Sequence, residues 1–390
     1  MNPERPGSLE TLRRHNRVRV LEVLRRRGAA SRAAIGRETG LSRTSVSSLV
    51  ADLIAEGVVV ESPDSEPRSS SPNGGRPSTP LTLDPSAGGV IGMDFGHDSV
   101  RVILTDLSYT VLDETLHQLD VDNEARKALA HAAGAARTLL DEHQIDRDRV
   151  VGAGVALSTP VRNGVPTSRA ICRSWLDIDV SGELEGSLGV PVQVGNDANL
   201  GALAEAMLGA GQDTGNLVYV MLSAGVGAGL VLDGRLYEGE TGTAGELGHV
   251  VVNPDGLVCR CGNRGCLETV AGASALAAAL HQSHGDVTLE NVLRLADEGD
   301  SGAQRVIIDA GHAVGQALAG ICSVLDPKLV VVGGELADAG DLILESIRES
   351  IERAMTPSAG HSVDVVAGEL GSRAQALGAA VLAASSVPIG

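Results

Sequence analysis

One histidine and three cysteines crowd into a short stretch of this sequence: His249, Cys259, Cys261 and Cys266, with Gly262 and Gly265 between the last two thiols and Glu268 just beyond. Thiolates and imidazole are the ligands that tetrahedral zinc prefers, and four protein ligands leave no open position, so the pattern predicts a structural rather than a catalytic Zn2+. Five cysteines is an odd number, and three of them share one loop, which a metal explains better than disulfides do. Three loop thiols beside an unrelated histidine is the bland alternative, and the tight Gly and Cys spacing argues against it.

These residues need elements to hold them. A chain of 390 residues exceeds one compact core, so a small unit plus larger lobes is expected. Apolar residues reach 43 % while aromatics make only 1 %, so the core is Val, Leu, Ile and Ala, which suits buried parallel strands under Ala-rich helices. No run approaches eighteen uninterrupted apolar residues and the charged N-terminus does not read as a signal peptide, so no membrane association and a cytoplasmic location are expected. The net charge of −19 is unevenly placed. Met1 to Pro80 carries thirteen Arg against nine Asp plus Glu, so a basic head sits on a strongly acidic body, and only the head is expected to meet a polyanion.

The head (1–85) reads as a winged helix-turn-helix. An amphipathic helix over Ser8 to Arg27 precedes a short helix capped by Ser31, a turn at Gly40 and a third helix capped by Ser42. Val46, Leu49, Val50 and Leu53 share one face of that third helix. This leaves Arg43, Thr44, Ser45 and Ser47, with the cap Ser42 and the preceding helix's Arg32, as candidates for contact with double-stranded operator DNA. Val58-Val59-Val60 and Leu81-Thr82-Leu83 form a wing, whose Gly74-Gly75-Arg76-Pro77 tip would offer Arg76 to a minor groove. A plain helical module for a protein partner, or a disordered linker at the tip, are the competing readings.

From Gly89 three strand-like runs, a helical stretch (Glu124 to Glu142), the strand VVGAGVAL and another near Val192 follow in the order of a ribonuclease-H-like lobe (86–205). A second copy starts at Leu217 and includes KLVVVGG (206–390). The expected class is α/β, with two actin-like lobes and a cleft between them.

His249, Cys259-Arg260-Cys261-Gly262 and Gly265-Cys266-Leu267-Glu268 resemble the zinc signature of the ROK family (repressors, open reading frames, kinases). Asn196-Asp197-Ala198-Asn199 and Gly245 to His249 extend the resemblance over essentially all of 89–385. It implies that Asn196, Asp197, Glu246, His249 and Glu268 bind a monosaccharide, with xylose, glucose and N-acetylglucosamine all open. Polyol chemistry agrees, since a carboxylate gripping a hydroxyl makes a strong, directional bond. One ring nitrogen of His249 would hold the metal and the other the sugar.

The resemblance also puts Asp197 at the general-base position of the family's sugar kinases. The phosphate turns disagree. Where those kinases carry Asp-x-Gly-Gly-Thr, this chain has Asp94-Phe95-Gly96-His97-Asp98, and where they carry Gly-Thr-Gly-x-Gly it has Ser223-Ala224-Gly225-Val226-Gly227. A carboxylate at Asp98 repels a triphosphate, and the second turn lacks the hydroxyl-bearing Thr, with Ala224 in its place. Ser158-Thr159-Pro160 replaces a Pro-Gly pair near the sugar, while Gly333-Gly334 is kept. The reading is a sugar-responsive transcriptional regulator, a repressor by preference, without ATP-dependent activity. An active sugar kinase with an added DNA-binding head is the runner-up. Two heads on a pseudo-palindrome require a homodimer or homotetramer.

Overall fold

The computed structural model describes residues 9–62, 79–162, 164–167, 173–176, 178–355 and 363–386. Three helices, α1 (Leu9–Arg27), α2 (Arg32–Thr39) and α3 (Arg43–Ala55), build the head. Local chemistry sets their ends as expected. The Ser31 hydroxyl accepts from the Ala34 amide at 3.2 Å, the Ser42 hydroxyl accepts from Ser45 at 3.1 Å, and Gly40 ends α2 at φ +67°, a left-handed position where a side chain would be strained. The wing strands β1 (Val59–Glu61) and β2 (Leu81–Leu83) pair antiparallel, with Val59 opposite Leu83. Arg76 and the wing tip lie outside the described residues.

The first lobe's sheet is built by β3 (Gly89–Phe95), β4 (Ser99–Asp106), β5 (Val111–Gln118), β6 (Val150–Leu157) and, beyond the small hairpin β7 (Val161–Arg162) and β8 (Val165–Pro166), β9 (Val192–Asn196). Its order is β5-β4-β3-β6-β9, antiparallel over the meander and parallel after it, with α4 (Ala125–Glu142) and α5 (Val180–Leu188) packed on one face. Helix α6 (Asp197–Leu208) leads to the second lobe.

There β10 (Leu217–Leu222), β11 (Val226–Leu232), β12 (Arg235–Leu236), β13 (Leu329–Gly333) and β14 (Asp364–Ala367) repeat the pattern in the order β12-β11-β10-β13-β14. Helices α7 (Glu268–Ala271), α8 (Ala273–His284), α9 (Leu289–Asp297), α10 (Ser301–Leu325) and α11 (Asp341–Ala354) complete that lobe. By length and composition α10 could cross a membrane, but Ile307, Val314 and Leu318 are fully buried in this lobe's core.

The first lobe's sheet ends at Asn196 and the second lobe's sheet begins at Leu217. Helix α12 (Ala374–Ser386) returns to the first lobe and lies across β3, β6 and α6. Small residues permit that crossing. A Cβ at Gly154 would stand 1.8 Å from the Ala379 carbonyl oxygen, one at Gly92 2.0 Å from that of Ala376, and one at Gly378 1.9 Å from that of Leu200. The far end of α12 then joins the head. Ala380, Val381, Ala383 and Ala384 share one buried core with Leu21, Leu24, Leu53 and Leu81 of the winged unit and with Val90, Leu107 and Tyr109 of the first lobe.

Candidate functional site

A cleft of about 1030 Å3 opens between the two lobes, the scale of pockets that enclose small organic ligands. Asp197 stands at the first turn of α6, where β9 delivers it, and is 6 % exposed. Its Oδ1 accepts from the Ala198 amide at 2.7 Å and from the Asn196 amide group at 2.9 Å. Burial nevertheless pushes its carboxyl above the usual range, opposed by its hydrogen bonds with Ser158 and Ala198. Asn196 caps α6 through the Asn199 amide at 3.1 Å and also donates to the Thr159 carbonyl at 3.2 Å. Its polar atoms thus fix Asp197 in place. Asp94, on β3, lies beside Asp197 on the cleft floor, and its carboxyl is pushed up to about 7, by burial first and then by the charge of Asp197.

Glu246 and His249 arrive from the opposite lobe on a turn that Gly245 holds against β11; φ is +93° and a Cβ would meet the Ala228 carbonyl at 2.0 Å. Burial, then Asp197 and Glu268, pushes the Glu246 carboxyl up to about 7. The His249 ring divides its two nitrogens. Nδ1 faces the Cys259 sulfur at 3.6 Å, and Nε2 faces the Glu246 carboxylate at 3.7 Å on the cleft side.

The sulfurs of Cys261 and Cys266 stand 3.7 Å apart, and the four candidate ligand atoms of His249, Cys259, Cys261 and Cys266 all lie within 4.8 Å of one another. Sulfurs about 2.3 Å from a tetrahedral zinc lie about 3.8 Å apart, so these residues fit a metal of that kind. Backbone bonds shape the loop for it: the Cys259 amide donates to Asn263 at 2.7 Å, and the Gly262 amide donates to Cys259 at 2.9 Å.

The two turns expected to lack phosphate recognition both face this cleft. His97 points its Nδ1 at Asp122, 3.0 Å away, and Asp98 is exposed beside it. In the second turn the Ser223 hydroxyl donates to Glu335 at 3.0 Å. Glu335 follows Gly334, so an acidic side chain stands at each turn. Glu335 escaped the sequence reading because it is 112 residues from Ser223 in the chain.

In the head, Arg43, Thr44 and Ser47 are exposed at the start of α3, and Ser45 is half-buried. The Ser42 hydroxyl also bonds the hydroxyls of Thr44 and Ser45, both at 2.8 Å. Arg32 is held by Glu61 of the wing at 2.9 Å. Arg17, Arg26 and Arg27 are likewise paired with acidic residues of the head. Arg37, exposed in the last turn of α2, was not singled out from sequence; its signal was its position one turn before Gly40.

The ROK family pattern matches residues 90–386, and a MarR family pattern matches residues 13–68. A xylose repressor of Bacillus spizizenii is 29 % identical over 371 residues, covering 93 % of each chain. A solved ROK family transcriptional regulator, a homologue of the Escherichia coli MLC protein, superposes with a TM-score of 0.79 at 27 % identity over 96 % of both chains. A ROK family glucokinase from Streptomyces griseus, solved with glucose and AMPPNP, superposes at 0.68 and 27 % identity, covering 76 % of this chain and 99 % of its own. The kinase thus aligns with the body alone, whereas the regulators align with head and body together, and the chain belongs to the ROK family.

Proposed function

We infer that this protein is a sugar-responsive, DNA-binding transcriptional regulator, a repressor of carbohydrate genes acting in the cytoplasm, whose ROK body senses a sugar and no longer phosphorylates it. The observation that carries this reading is the asymmetry of the cleft. Asp197, Glu246, His249 and Glu268 line one opening, where they would bind hydroxyls, while the turns that would meet a phosphate present Asp98 and Glu335. Carboxylates accept from sugar hydroxyls and repel a triphosphate.

Zinc held by His249, Cys259, Cys261 and Cys266 would brace the loop and orient His249. The imidazole Nε2 is then available on the cleft side to bond a sugar hydroxyl. The exposed Arg43, Thr44 and Ser47 would meet the operator, with Arg32, Ser42, Ser45 and Arg76 as further contacts, and two heads are needed to read a palindromic site. Helix α12 links the events. Gln375 lines the cleft and donates to the Tyr219 hydroxyl at 3.3 Å, while Ala380 to Ala384 lie beneath the head. A sugar that favours one lobe spacing shifts the population of head arrangements.

A second reading, an active sugar kinase with a DNA-binding head, draws on Asp197 at the base position and on the retained Gly333-Gly334. Calorimetric titration with xylose, glucose and N-acetylglucosamine, run beside ATP and a non-hydrolysable analogue, separates the two. The sensor reading expects one sugar to bind and neither nucleotide to do so; nucleotide binding accompanied by sugar phosphorylation overturns it.

A further inference from the structure

Arg260 sits between two metal-ligand candidates, Cys259 and Cys261, and its side chain leaves the loop toward the cleft, which it lines. Its Nε donates to Glu268 Oε1 at 2.8 Å and its Nη2 to Oε2 at 3.0 Å, a bidentate grip on a carboxylate that is 13 % exposed. The Val226 amide approaches the same Oε2 at 3.4 Å, so Glu268 is tied to the zinc loop on one side and to the start of β11 on the other. The pair packs close to Gly225: a Cβ there would stand 2.9 Å from Glu268 Oε2 and 3.1 Å from Arg260 Nη2, so a side chain at this turn would displace the tips of both.

A guanidinium carries five N–H donors, and Glu268 engages two of them. Arg260 also feels the charge of Asp122, which projects from the β5–α4 connection of the opposite lobe. Carboxylates are numerous in the rest of the cleft (Asp94, Asp122, Asp197, Glu246, Glu268 and Glu335), and its other guanidinium, Arg101, donates to Glu114 and Ser372. A sugar hydroxyl both donates and accepts, so carboxylates alone engage its O–H and leave its oxygen lone pairs unmatched. A guanidinium edge beside a carboxylate supplies the missing donor, and a hydroxyl bonded on both sides is held more strongly than one bonded on either alone.

We propose that Arg260 is a ligand-binding and positioning residue of the cleft: one edge of its fork fixes Glu268, and its remaining N–H donors take the oxygens of a neutral sugar. This rests on the sugar-sensing reading above. It also gives the metal loop a second route to the ligand, independent of His249.

The test is calorimetry on the full-length, zinc-replete protein with xylose, glucose and N-acetylglucosamine, comparing wild type, R260A, R260K, E268Q and the double variant R260A/E268Q, with zinc content and thermal midpoint measured on each. The expected result is that R260A keeps its zinc and its thermal midpoint while affinity for the bound sugar falls at least about ten-fold. R260K recovers only part of that loss, because an ammonium cannot span both carboxylate oxygens in the plane of the fork. The double variant is expected to lose less than the sum of R260A and E268Q measured singly, since the two side chains act together. Wild-type sugar affinity in R260A overturns the inference and leaves the sugar reading standing. A loss in R260A matched by an equal loss of zinc also overturns it, in favour of a purely structural role. A wild-type protein silent to the whole panel overturns the sugar reading and this inference with it.

Discussion

At the scale of residues, the cleft stores charge that folding disfavours. Asp94 ionises in the folded protein only at about pH 7, against 3.8 for a free carboxyl, because it is buried and faces Asp197. A raised acid favours the folded state while protonated, so its contribution is present below the unfolded value and is lost as the pH rises through about 7. Asp94→Asn, which keeps the shape and removes the charge, is therefore expected to gain thermal stability relative to wild type as the pH rises from about 5 to about 8. Differential scanning calorimetry at several pH values checks this, and a difference that stays flat or shrinks refutes it. The thiol cluster behaves oppositely, since removing a member removes a ligand. Cys261→Ser is expected to lose bound zinc in elemental analysis and to lower the thermal midpoint, as a structural metal site contributes directly to folding. A fully stable, zinc-free variant would show that the cluster holds no structural metal.

Helix α12 shows what an element adds. Its composition, AQALGAAVLAASS, reads as a weakly amphipathic helix with few features. Its small residues become intelligible only against the backbones they touch, because Gly92 and Gly154 on the strands and Gly378 on the helix each leave room for a facing carbonyl. Gly154→Ala adds one methyl where about 1.8 Å is available. The helix must then lift from the sheet, and overpacking of this kind costs typically about 1–3 kcal/mol or more. The expected outcome is a lower chemical-denaturation midpoint; an unchanged midpoint would mean that α12 is not seated as described.

The whole molecule joins its head to its body through one continuous core. Arg25, in the last turn of α1, is 9 % exposed. It donates from Nε to the Leu107 carbonyl at 2.8 Å and lies 4.7 Å from the centre of the Tyr109 ring. Tyr109 holds φ at +65°, a conformation that costs a non-glycine residue strain and persists where its surroundings fix it. Burial raises the Tyr109 hydroxyl above its ordinary range, and the Arg25 charge opposes that shift. Arg25→Ala is expected to leave the Leu107 carbonyl without this partner, at about 1–3 kcal/mol, and to loosen the head. Limited proteolysis between head and body should accelerate while the body's unfolding midpoint is largely kept. Equal protease resistance would mean that the apolar contacts alone seat the head.

The sequence by itself determined whatever depends on neighbours along the chain. The helix caps at Ser31 and Ser42, the turn at Gly40, the apolar strand runs and the His/Cys loop were all legible, because a cap reaches three residues and the three thiols lie within eight positions. The repeat of strand order in the two lobes was legible for the same reason, as each strand carries its own pattern. Tertiary structure decided what distant segments do to one another. It set Glu335 against Ser223, turned Arg260 onto Glu268, spent the polar atoms of Asn196 on Asp197, and sent the last helix back to the first lobe. Hydrogen bonds and close backbone contacts act only over a few ångströms, and only the folded chain brings these residues within that range.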